Sequence, residues 1–524
     1  MRKTVISFIL LTLGFCSAAQ LSNWQHKDLK ADSTFGVSTD RAYAELLKNK
    51  KPGKVLVAVI DSGIDTLHED LSSVIWINPK EISGNGADDD HNGYVDDIHG
   101  WNFIGGPTGD VRYDNIELTR LMRQKKAFFD SLSYTSVSEK YQMPYQAFRK
   151  MSRDYDSQLA DAQNGLAGVS IFKKELEEAM QKIGKDHPTM DDFISYRPDT
   201  DNQKKLREFM IGQLGKKTDF EEFKTQQVDM AYQHFKELID YALNMDFDPR
   251  PIVGDNYMVS TEKNYGNNNV LGPHADHGTH VAGIIGAKRG NNIGIDGMAD
   301  NVQIMGVRVV PQGDERDKDV ANAIRYAVDN GAKIINMSFG KPYSFDKKVV
   351  DEAVKYAMSK DVLIIHAAGN DGKNLDEIDQ FPNRYFADGS GQADAWIEVG
   401  ASGWKDDSTL VAPFSNYSRT KVDVFAPGVQ VYSTTPGSKY AFFNGTSMAA
   451  PMVSGLAALI WEYYPKLKAV EVKNIILRSV VKVEHPVLLT KDHAGQQKIM
   501  HLSEICLSGG IINAYNALKL AANY

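Results

Sequence analysis

Three short segments of this chain hold the residue types that nucleophilic catalysis uses. In chain order they contain an aspartate (Asp61), a histidine (His277) and a serine (Ser447). A serine hydroxyl is a weak nucleophile at neutral pH, so it needs a base within hydrogen-bond reach, and imidazole has a pKa close to that pH. A buried carboxylate can hold the imidazole in one tautomer and stabilise its positive charge. Together, these residue types are the ones a serine hydrolase requires.

Each of these residues has a simpler interpretation when it is taken alone. Asp61 follows a strand-like run, where an aspartate most often forms a turn. His277 and His280 are three residues apart and could bind a metal from one face of a helix. Ser447 precedes a run of helix-forming residues and could merely begin a helix. The surrounding sequence therefore has to decide between these interpretations.

The complete segments resemble those of a known enzyme family. They are IDSGID at residues 60–65, HGTHVAG at residues 277–283 and NGTSMAAP at residues 444–451. In this order they are similar to the subtilisin family of serine peptidases, and the similarity runs from about residue 50 to the C-terminus apart from one insertion. The resemblance implies an endopeptidase that forms an acyl-enzyme, with Asp61 orienting the base His277 and Ser447 as nucleophile. The resemblance implies that His280 packs in the interior and takes no part in catalysis.

The resemblance also indicates where negative charge would be stabilised during the reaction. Residues 367–370, Ala-Ala-Gly-Asn, follow a strand-like run and resemble the oxyanion segment of the family. The side-chain amide of Asn370 and the backbone N–H of Ser447 are the expected donors. A helix that begins at Ser447 adds a favourable dipole for the same anion. Without that context, Asn370 would be interpreted as a turn residue.

Substrate peptides in this family bind by strand addition to exposed backbone. The residues expected to contact substrate are Ser338, Phe339, Gly340, Ala368 and Gly369, with residues 310–313 as the opposite edge. Two positions depart from the family pattern. His366 stands where a small residue is usual, and Asn383 stands where a glycine is common at the base of the specificity pocket. These two departures leave open whether the family's preference for large apolar side chains carries over.

A separate acidic segment, ADDDHNGYVDD at residues 87–97, has the spacing of a calcium loop. Oxygen ligands recur at alternate positions with Gly93 at the bend, and the expected ligands are Asp88, Asp90, Asn92, the Tyr94 carbonyl and Asp96. The twelfth position is His99 instead of glutamate, so Asp97 or a distant carboxylate has to supply that ligand. Crowded carboxylates repel one another unless a cation neutralises them. We expect structural calcium, with a solvated turn as the alternative, and no organic cofactor.

The scaffold that positions these residues is indicated by buried strands alternating with helices. Residues 54–60 form an apolar, β-branched run that is typical of a strand buried on both faces. Strand patterns recur at residues 302–310, 333–338, 362–367, 396–401 and 422–425, with helical patterns at residues 320–329 and 347–359. The order predicts an α/β fold, a doubly wound and mostly parallel sheet of the subtilisin type with helices on both faces. In such a sheet the site lies beyond the carboxyl ends of the strands.

Between about residues 105 and 268 the sequence becomes polar with helical periodicity. Thr218 and Glu221 predict a capping box at the start of one of these helices. Because strand-forming sequence stands on both sides, we interpret this block as a mainly helical insertion within one peptidase domain of residues 20–524. Its role stays open between a structural elaboration and a cover over part of the cleft.

Residues 1–19 have the layout of a cleavable export signal, with two basic residues, an apolar run that ends at Phe15, and small residues before Gln20. A lipoprotein would use Cys16, but Phe15 is bulkier than the residue that usually precedes a lipidated cysteine. No other apolar stretch approaches the roughly 20 residues that span a bilayer. After cleavage Cys506 would be the sole cysteine, which excludes an internal disulfide. We expect an exported protein, periplasmic or extracellular, without a membrane span.

Composition and motif context exclude several other function classes. The net charge of −9 over 524 residues is mild and is not gathered into one block, so nucleic acid and anionic membranes are not expected partners. The expected partners are protein or peptide substrates. The sequence leaves the oligomeric state open. A non-catalytic binding protein of this fold would be expected to lack a triad or oxyanion residue. An esterase of the α/β-hydrolase type would have a second glycine where Ala449 stands.

Overall fold

A computed structural model describes residues 22–132, 137–216, 218–491 and 497–524. The expected export signal, residues 1–19, lies outside these ranges. The described chain separates into two compact units. Residues 114–248 form one unit, and the flanking residues up to 113 form the other together with residues 249–524.

The larger unit is built on a mostly parallel sheet. Its strands are β1 (Val55–Asp61), β2 (Gly100–Asn102), β3 (Gly105–Gly106), β4 (Gly109–Asp110), β5 (Val302–Arg308), β6 (Ile334–Met337), β7 (Leu363–Ala367), β8 (Trp396–Ser402), β9 (Val424–Pro427), β10 (Val431–Thr435), β11 (Lys439–Phe443), β12 (Val481–Lys482), β13 (Pro486–Lys491), β14 (Gln497–His501) and β15 (Gly510–Ile511). Within the described ranges, nine strands form one sheet in the order β12-β15-β9-β8-β7-β6-β1-β5-β2, in which only β12 and β15 pair antiparallel. The other strands form two-stranded antiparallel hairpins. The predicted α/β class and mostly parallel sheet are confirmed.

Helices occur in both units. In chain order they are α1 (Leu29–Asp32), α2 (Thr39–Ala42), α3 (Glu117–Phe129), α4 (Glu139–Ile183), α5 (Met190–Ser195), α6 (Asp201–Leu214), α7 (Phe220–Phe223), α8 (Met230–Glu237), α9 (Asp276–Gly286), α10 (Asp317–Asp329), α11 (Lys347–Ser359), α12 (Thr446–Tyr463), α13 (Ala469–Arg478) and α14 (Ala514–Ala521). Short 3₁₀ segments occur at Trp24–His26, Arg250–Ile252 and Leu502–Glu504, and π-helical turns at Tyr43–Leu47, Lys224–Asp229 and Leu238–Ala242.

The core of the larger unit lies on both faces of the sheet. Along β1, Val57 and Val59 join the apolar cluster that contains residues of α9 and α12. Ala58 and Ile60 join the opposite cluster, which contains residues of α10 and α11. Successive side chains of a strand point to opposite faces, so a strand covered on both sides has to be apolar throughout. The expected helices on both faces are confirmed.

The carboxyl edge of this sheet gathers the segments that carry the candidate catalytic residues. Asp61 is the last residue of β1. The ends of β6 and β7 are followed directly by Ser338 and Ala368. His277 and Ser447 are the second residues of α9 and α12, so both lie in first turns of helices.

The smaller unit consists of helices α3 to α8. Its apolar cluster includes Leu176 from the long helix α4, Phe193 from α5 and Phe223 from α7. The predicted capping box at Thr218 is wrong, because α7 begins one residue later and Asp219 caps it by accepting a hydrogen bond from the backbone of Glu222. Aspartate caps a helix at least as well as threonine does.

Candidate active site

Asp61 and His277 form a direct hydrogen bond at the end of β1. Oδ1 of the buried Asp61 carboxylate lies 2.7 Å from Nδ1 of His277, so this nitrogen carries the proton that it donates. The same oxygen accepts the backbone N–H of Ser62 at 2.7 Å. These bonds set the tautomer of the imidazole and leave Nε2 as its basic nitrogen.

The close approach of α9 to Asp61 depends on Gly278. A Cβ atom at this position would lie 2.2 Å from the carbonyl oxygen of Gly63 and 3.1 Å from the Cβ of Asp61. A side chain would therefore push His277 away from its carboxylate. Thr279 fixes the same turn, because its Oγ1 accepts the backbone N–H of Asp65 at 3.0 Å.

The environment of His277 favours its protonated form. Burial by itself lowers the pKa of His277, but the charge and hydrogen bond of Asp61 outweigh burial, so the pKa is raised above 6.5. The side chain is still 34% exposed, which leaves it accessible from solvent.

His280 has a different environment on the same helix. It stacks on Phe443 with ring centroids 4.3 Å apart, and its Nε2 lies 3.0 Å from the carbonyl oxygen of Ala441. Burial lowers the pKa of His280 to about 3, so this ring is neutral and packed.

Ser447 is tied to Ser338 by two reciprocal hydrogen bonds. The Ser447 hydroxyl donates to the Ser338 carbonyl at 3.1 Å, and the Ser338 hydroxyl donates to the Ser447 carbonyl at 3.0 Å. Pro451 stands four residues further along α12 and has no N–H to offer that carbonyl. The Ser338 hydroxyl supplies the missing donor. Among the described residues, no hydrogen bond joins Ser447 to His277.

Asn370 is oriented by the residue that precedes Ser447. Its Oδ1 accepts both the backbone N–H and the hydroxyl of Thr446, at 2.9 and 3.0 Å. A Cβ atom built on Gly445 would lie 3.5 Å from the Ser447 nitrogen and 3.6 Å from Nδ2 of Asn370. Both predicted oxyanion donors therefore border one small space, which a side chain at residue 445 would fill.

The predicted substrate edge at Phe339 and Gly340 has free backbone groups. In the part of the chain that the structure describes, neither residue makes a backbone hydrogen bond. The opposite edge is already paired on one side, since the Gln312 N–H donates to the Arg112 carbonyl at 2.8 Å beside a parallel bridge between Tyr113 and Gln312.

Ala368 and Gly369 are engaged with their own chain. The Ala368 carbonyl accepts Nδ2 of Asn416 at 2.9 Å, and the Gly369 N–H donates to the Thr446 hydroxyl at 3.1 Å. This segment can therefore form a wall beside a substrate, but it offers fewer backbone groups for pairing.

The two positions that depart from the family pattern are accounted for locally. His366 is fully buried, and its Nδ1 lies 2.8 Å from Oε1 of Glu398. Asn383 donates from Nδ2 to the Gln380 carbonyl at 2.8 Å and accepts the Tyr385 N–H at 3.1 Å. Its amide is used within its own loop.

In the acidic loop the structure brings together Asp88, Asp90 and a residue that sequence reasoning missed, Glu81. One carboxylate oxygen from each lies within 4.8 Å of the others. Glu81 is held by its Oε1, which accepts the N–H groups of Asp89 and Asp90 at 2.9 and 3.1 Å. Its Oε2 is buried and has no hydrogen-bond partner among the described residues.

Two of the other predicted ligand side chains, Asp96 and Asn92, accept backbone N–H groups within the loop. The Asp96 carboxylate accepts the N–H groups of Gly84 and Gly86, both at 2.8 Å. Oδ1 of Asn92 accepts the Tyr94 N–H at 2.8 Å. Asp97, the alternative ligand for the twelfth position, accepts the Tyr326 hydroxyl at 2.6 Å.

A sequence profile described as the subtilase family matches residues 53–499. The chain belongs to this family. The match includes all three motif segments, so the resemblance drawn from them is confirmed at the level of the family. The subtilase assignment also agrees with the parallel sheet, whose carboxyl edge carries the Asp61–His277 pair.

Several characterised subtilases are similar to this chain. A thermophilic serine proteinase of Bacillus sp. (strain AK1) is 41% identical over 186 residues, which are 35% of this chain and 42% of that protein. Alkaline elastase YaB of Bacillus sp. (strain YaB) is 40% identical over 38% of this chain and 48% of its own length. Subtilisin DY of Bacillus licheniformis is 38% identical over 38% of this chain and 68% of its own length. The chain thus spans less than half the length of the first two relatives.

A solved protease structure from Pseudoalteromonas arctica also aligns, with 28% identity, a TM-score of 0.38, and coverage of 47% of this chain and 70% of that one. The family assignment comes from the sequence match.

The raised pKa of His277 can be measured directly. In an NMR titration with selectively labelled histidine, we expect His277 to titrate above pH 6.5, because the Asp61 charge outweighs burial. Asp61→Asn removes that charge and should lower the midpoint. His280 is the internal control and should stay neutral down to about pH 4, since its pKa is about 3. A midpoint for His277 that does not respond to Asp61→Asn would contradict the assignment.

Proposed function

We propose that this chain is an exported serine endopeptidase that hydrolyses peptide bonds through an acyl-enzyme. Ser447 is the nucleophile, His277 the general base and Asp61 the carboxylate that orients it. The observation that carries the proposal is the 2.7 Å bond between Asp61 and Nδ1 of His277, within a chain of the subtilase family. This bond leaves Nε2 to accept the serine proton.

The proposed reaction requires one rearrangement of Ser447. Its hydroxyl is bonded to the Ser338 carbonyl, and it has to exchange that bond for one to Nε2 of His277. As Oγ attacks the substrate carbonyl, its proton passes to His277 and then to the leaving amine. Water repeats the cycle on the acyl-enzyme and returns the serine. Hydrogen bonds between catalytic groups often tighten only when substrate is bound.

Stabilisation of the tetrahedral intermediate falls to Asn370 and the Ser447 N–H. The two bonds from Thr446 to Oδ1 of Asn370 turn Nδ2 towards the space bordered by residue 445. A donor that is already oriented costs no reorganisation when charge develops. The free backbone of Phe339 and Gly340 supports strand addition by a protein or peptide substrate.

The proposed place of action is outside the cytoplasm, in the periplasm or in the medium. It rests on the export signal expected at residues 1–19, and N-terminal sequencing of the secreted protein should give a start at Gln20. The cysteine in the described residues, Cys506, is buried, and burial raises the pKa of its thiol to about 11, as suits an unreactive thiol. No helix in the described residues has the length and apolar character needed to cross a bilayer.

Substitutions in the triad test the proposed mechanism. Ser447→Ala, His277→Ala and Asp61→Asn should each lower kcat for peptide hydrolysis by roughly 10⁴-fold or more, and Asn370→Ala by roughly 10²–10³-fold. Circular dichroism and thermal melting should show that each variant folds.

The matched control is Asp65→Asn, the same change four residues along the motif. The Asp65 carboxylate accepts the N–H groups of Leu67 and Gly437 and does not contact His277. The Asp65→Asn variant should keep kcat within a few-fold of the value of the parent enzyme. An Asp61→Asn enzyme with the kcat of the parent would refute the assigned role of Asp61.

We also propose that a structural calcium ion binds at Glu81, Asp88 and Asp90. Calcium takes six to eight oxygen ligands at 2.3–2.6 Å, so ligand oxygens of one ion lie up to about 5 Å apart. The three carboxylates meet that limit, with oxygens within 4.8 Å of one another. The unpartnered, buried Oε2 of Glu81 supports the proposal, because a buried carboxylate oxygen needs a donor or a cation.

Calcium-dependent melting distinguishes this ligand set from the one predicted by loop spacing. Free calcium at 100 times its Kd stabilises the folded state by about 2.7 kcal/mol. Glu81→Gln and Asp90→Asn should abolish most of the difference in Tm between calcium and chelator. Asp96→Asn should keep that difference, because Asp96 is outside the group of three carboxylates.

Asp89→Asn is the control for a lost charge in the same loop, since Asp89 bonds to the Ile82 N–H and Asn85 and is outside the group of three. If Asp96→Asn loses the difference in Tm between calcium and chelator while Glu81→Gln keeps it, the ligand set predicted from the loop spacing would be supported and the one with Glu81 would be wrong.

A further inference from the structure

The side-chain amide of Gln380 lies between the two backbone segments predicted to contact substrate. Its Nε2 is 2.9 Å from the position of a Cβ atom on Gly340 and 3.0 Å from that of a Cβ atom on Gly369. Its Oε1 is 2.9 Å from the same point on Gly369. These distances are shorter than nearly all contacts of real Cβ atoms, so the amide lies directly against both glycines. A side chain at position 340 or 369 would push the amide away from its present place.

The two glycines are close in the chain to the candidate catalytic residues. Ser338, two residues before Gly340, is hydrogen-bonded to Ser447, and Asn370 directly follows Gly369. We expect a peptide bound by the proposed strand addition, with its carbonyl between Ser447 and Asn370, to direct the side chain of that same residue towards the gap between the two glycines. Gln380 is half-buried, and its amide lies in this gap between the two glycines.

The Gln380 amide has unused hydrogen-bonding capacity. Nε2 donates to the Ala367 carbonyl at 3.4 Å, and Oε1 accepts Nδ2 of Asn416 at 3.3 Å. Both distances exceed the usual range for N–H···O bonds. A primary amide offers two donors and two acceptor lone pairs. One N–H and one lone pair therefore remain for a substrate, counting partners within the described residues.

A side chain that enters the gap has to meet this amide. A short polar side chain can bond to the free N–H or lone pair without moving Gln380. A large apolar side chain has to displace the amide from Ala367 and Asn416 or cover its polar atoms without pairing them. Leaving a buried polar group unpaired lowers binding by about tenfold or more.

We propose that Gln380 sets the side-chain preference of the enzyme at the residue whose carbonyl is attacked, and that it selects short, uncharged polar side chains such as asparagine, serine or threonine over large apolar ones. This inference rests on the proposed peptidase function and names the substrate class of the same site. Asn383, which the sequence placed at the base of the pocket, holds the Gln380 backbone through its carbonyl. It is a support of the pocket and not its selecting group.

The test uses the full-length secreted protein and internally quenched peptides that differ only at the residue before the cleaved bond. We expect kcat/KM for asparagine to exceed that for leucine by about tenfold or more. Gln380→Ala should lower the asparagine-to-leucine ratio at least tenfold, chiefly by raising kcat/KM for leucine. Gln380→Glu keeps the size of the side chain and the bond from Asn416, and should shift the preference to lysine. Because glutamate has nearly the same shape as glutamine, Gln380→Glu still tests the side-chain preference if Gln380→Ala does not fold.

Two controls separate this proposal from the proposed function. Gln392→Ala makes the same change at an exposed glutamine and should leave the ratio unchanged. Ser447→Ala should abolish cleavage of every peptide, and cleavage at the rate of the parent would overturn the peptidase mechanism itself. If the parent cleaves through Ser447 but prefers leucine, or if neither Gln380 variant changes the preference, the role of Gln380 is wrong while the function stands.

Discussion

The incompletely paired carboxylate of Asp61 is the constraint on which the rest of the site depends. Oδ1 receives the His277 imidazole and the Ser62 N–H, whereas Oδ2 is buried with no hydrogen-bond partner in the described residues. A buried negative charge in this state is stabilised most by a nearby positive charge. The environment therefore favours the imidazolium form of His277, which is the form that arises when the ring takes a proton from a serine.

Local sequence features fix the starts of α9 and α12 against residues that follow two strands of the sheet. Gly278 lets α9 approach the turn after β1, because a side chain would collide with Gly63. At α12, Pro451 leaves the Ser447 carbonyl without its helical donor, and the Ser338 hydroxyl takes that place. The strand that ends before Ser338 is thereby tied to the helix that carries Ser447. The motif residues beside the candidate catalytic ones are thus explained by packing and hydrogen bonding.

The scaffold could be predicted from the sequence because it follows from local patterns. The apolar run at residues 54–60 matches β1, Val55–Asp61, and the helical pattern at residues 347–359 matches α11. Strands buried on both faces and amphipathic helices are determined mainly by burial, which leaves a periodic signal. The helix start predicted at Thr218 was wrong by one residue, because Asp219 competes as a cap.

Contacts between separate segments of the chain could not be predicted from periodic sequence patterns. Glu81 joins Asp88 and Asp90 from outside the alternating loop. The backbone of Asp96 has a φ of 52°, and its carboxylate accepts hydrogen bonds from the N–H groups of two glycines earlier in the loop. The spacing of acidic residues in the loop predicts neither of these contacts. Gln380 meets Gly340 and Gly369 only because three chain segments converge, so its own neighbours in sequence give no sign of its place.

The central claim is that Ser447 is a nucleophile activated through the Asp61–His277 pair. Its most direct test is labelling of the purified protein with an active-site fluorophosphonate, followed by mass spectrometry of the modified peptide. We expect one label per chain on Ser447, formed much more slowly in Asp61→Asn, whose His277 loses its carboxylate partner. Labelling at another residue, or labelling of Ser447 at the same rate in Asp61→Asn, would contradict it.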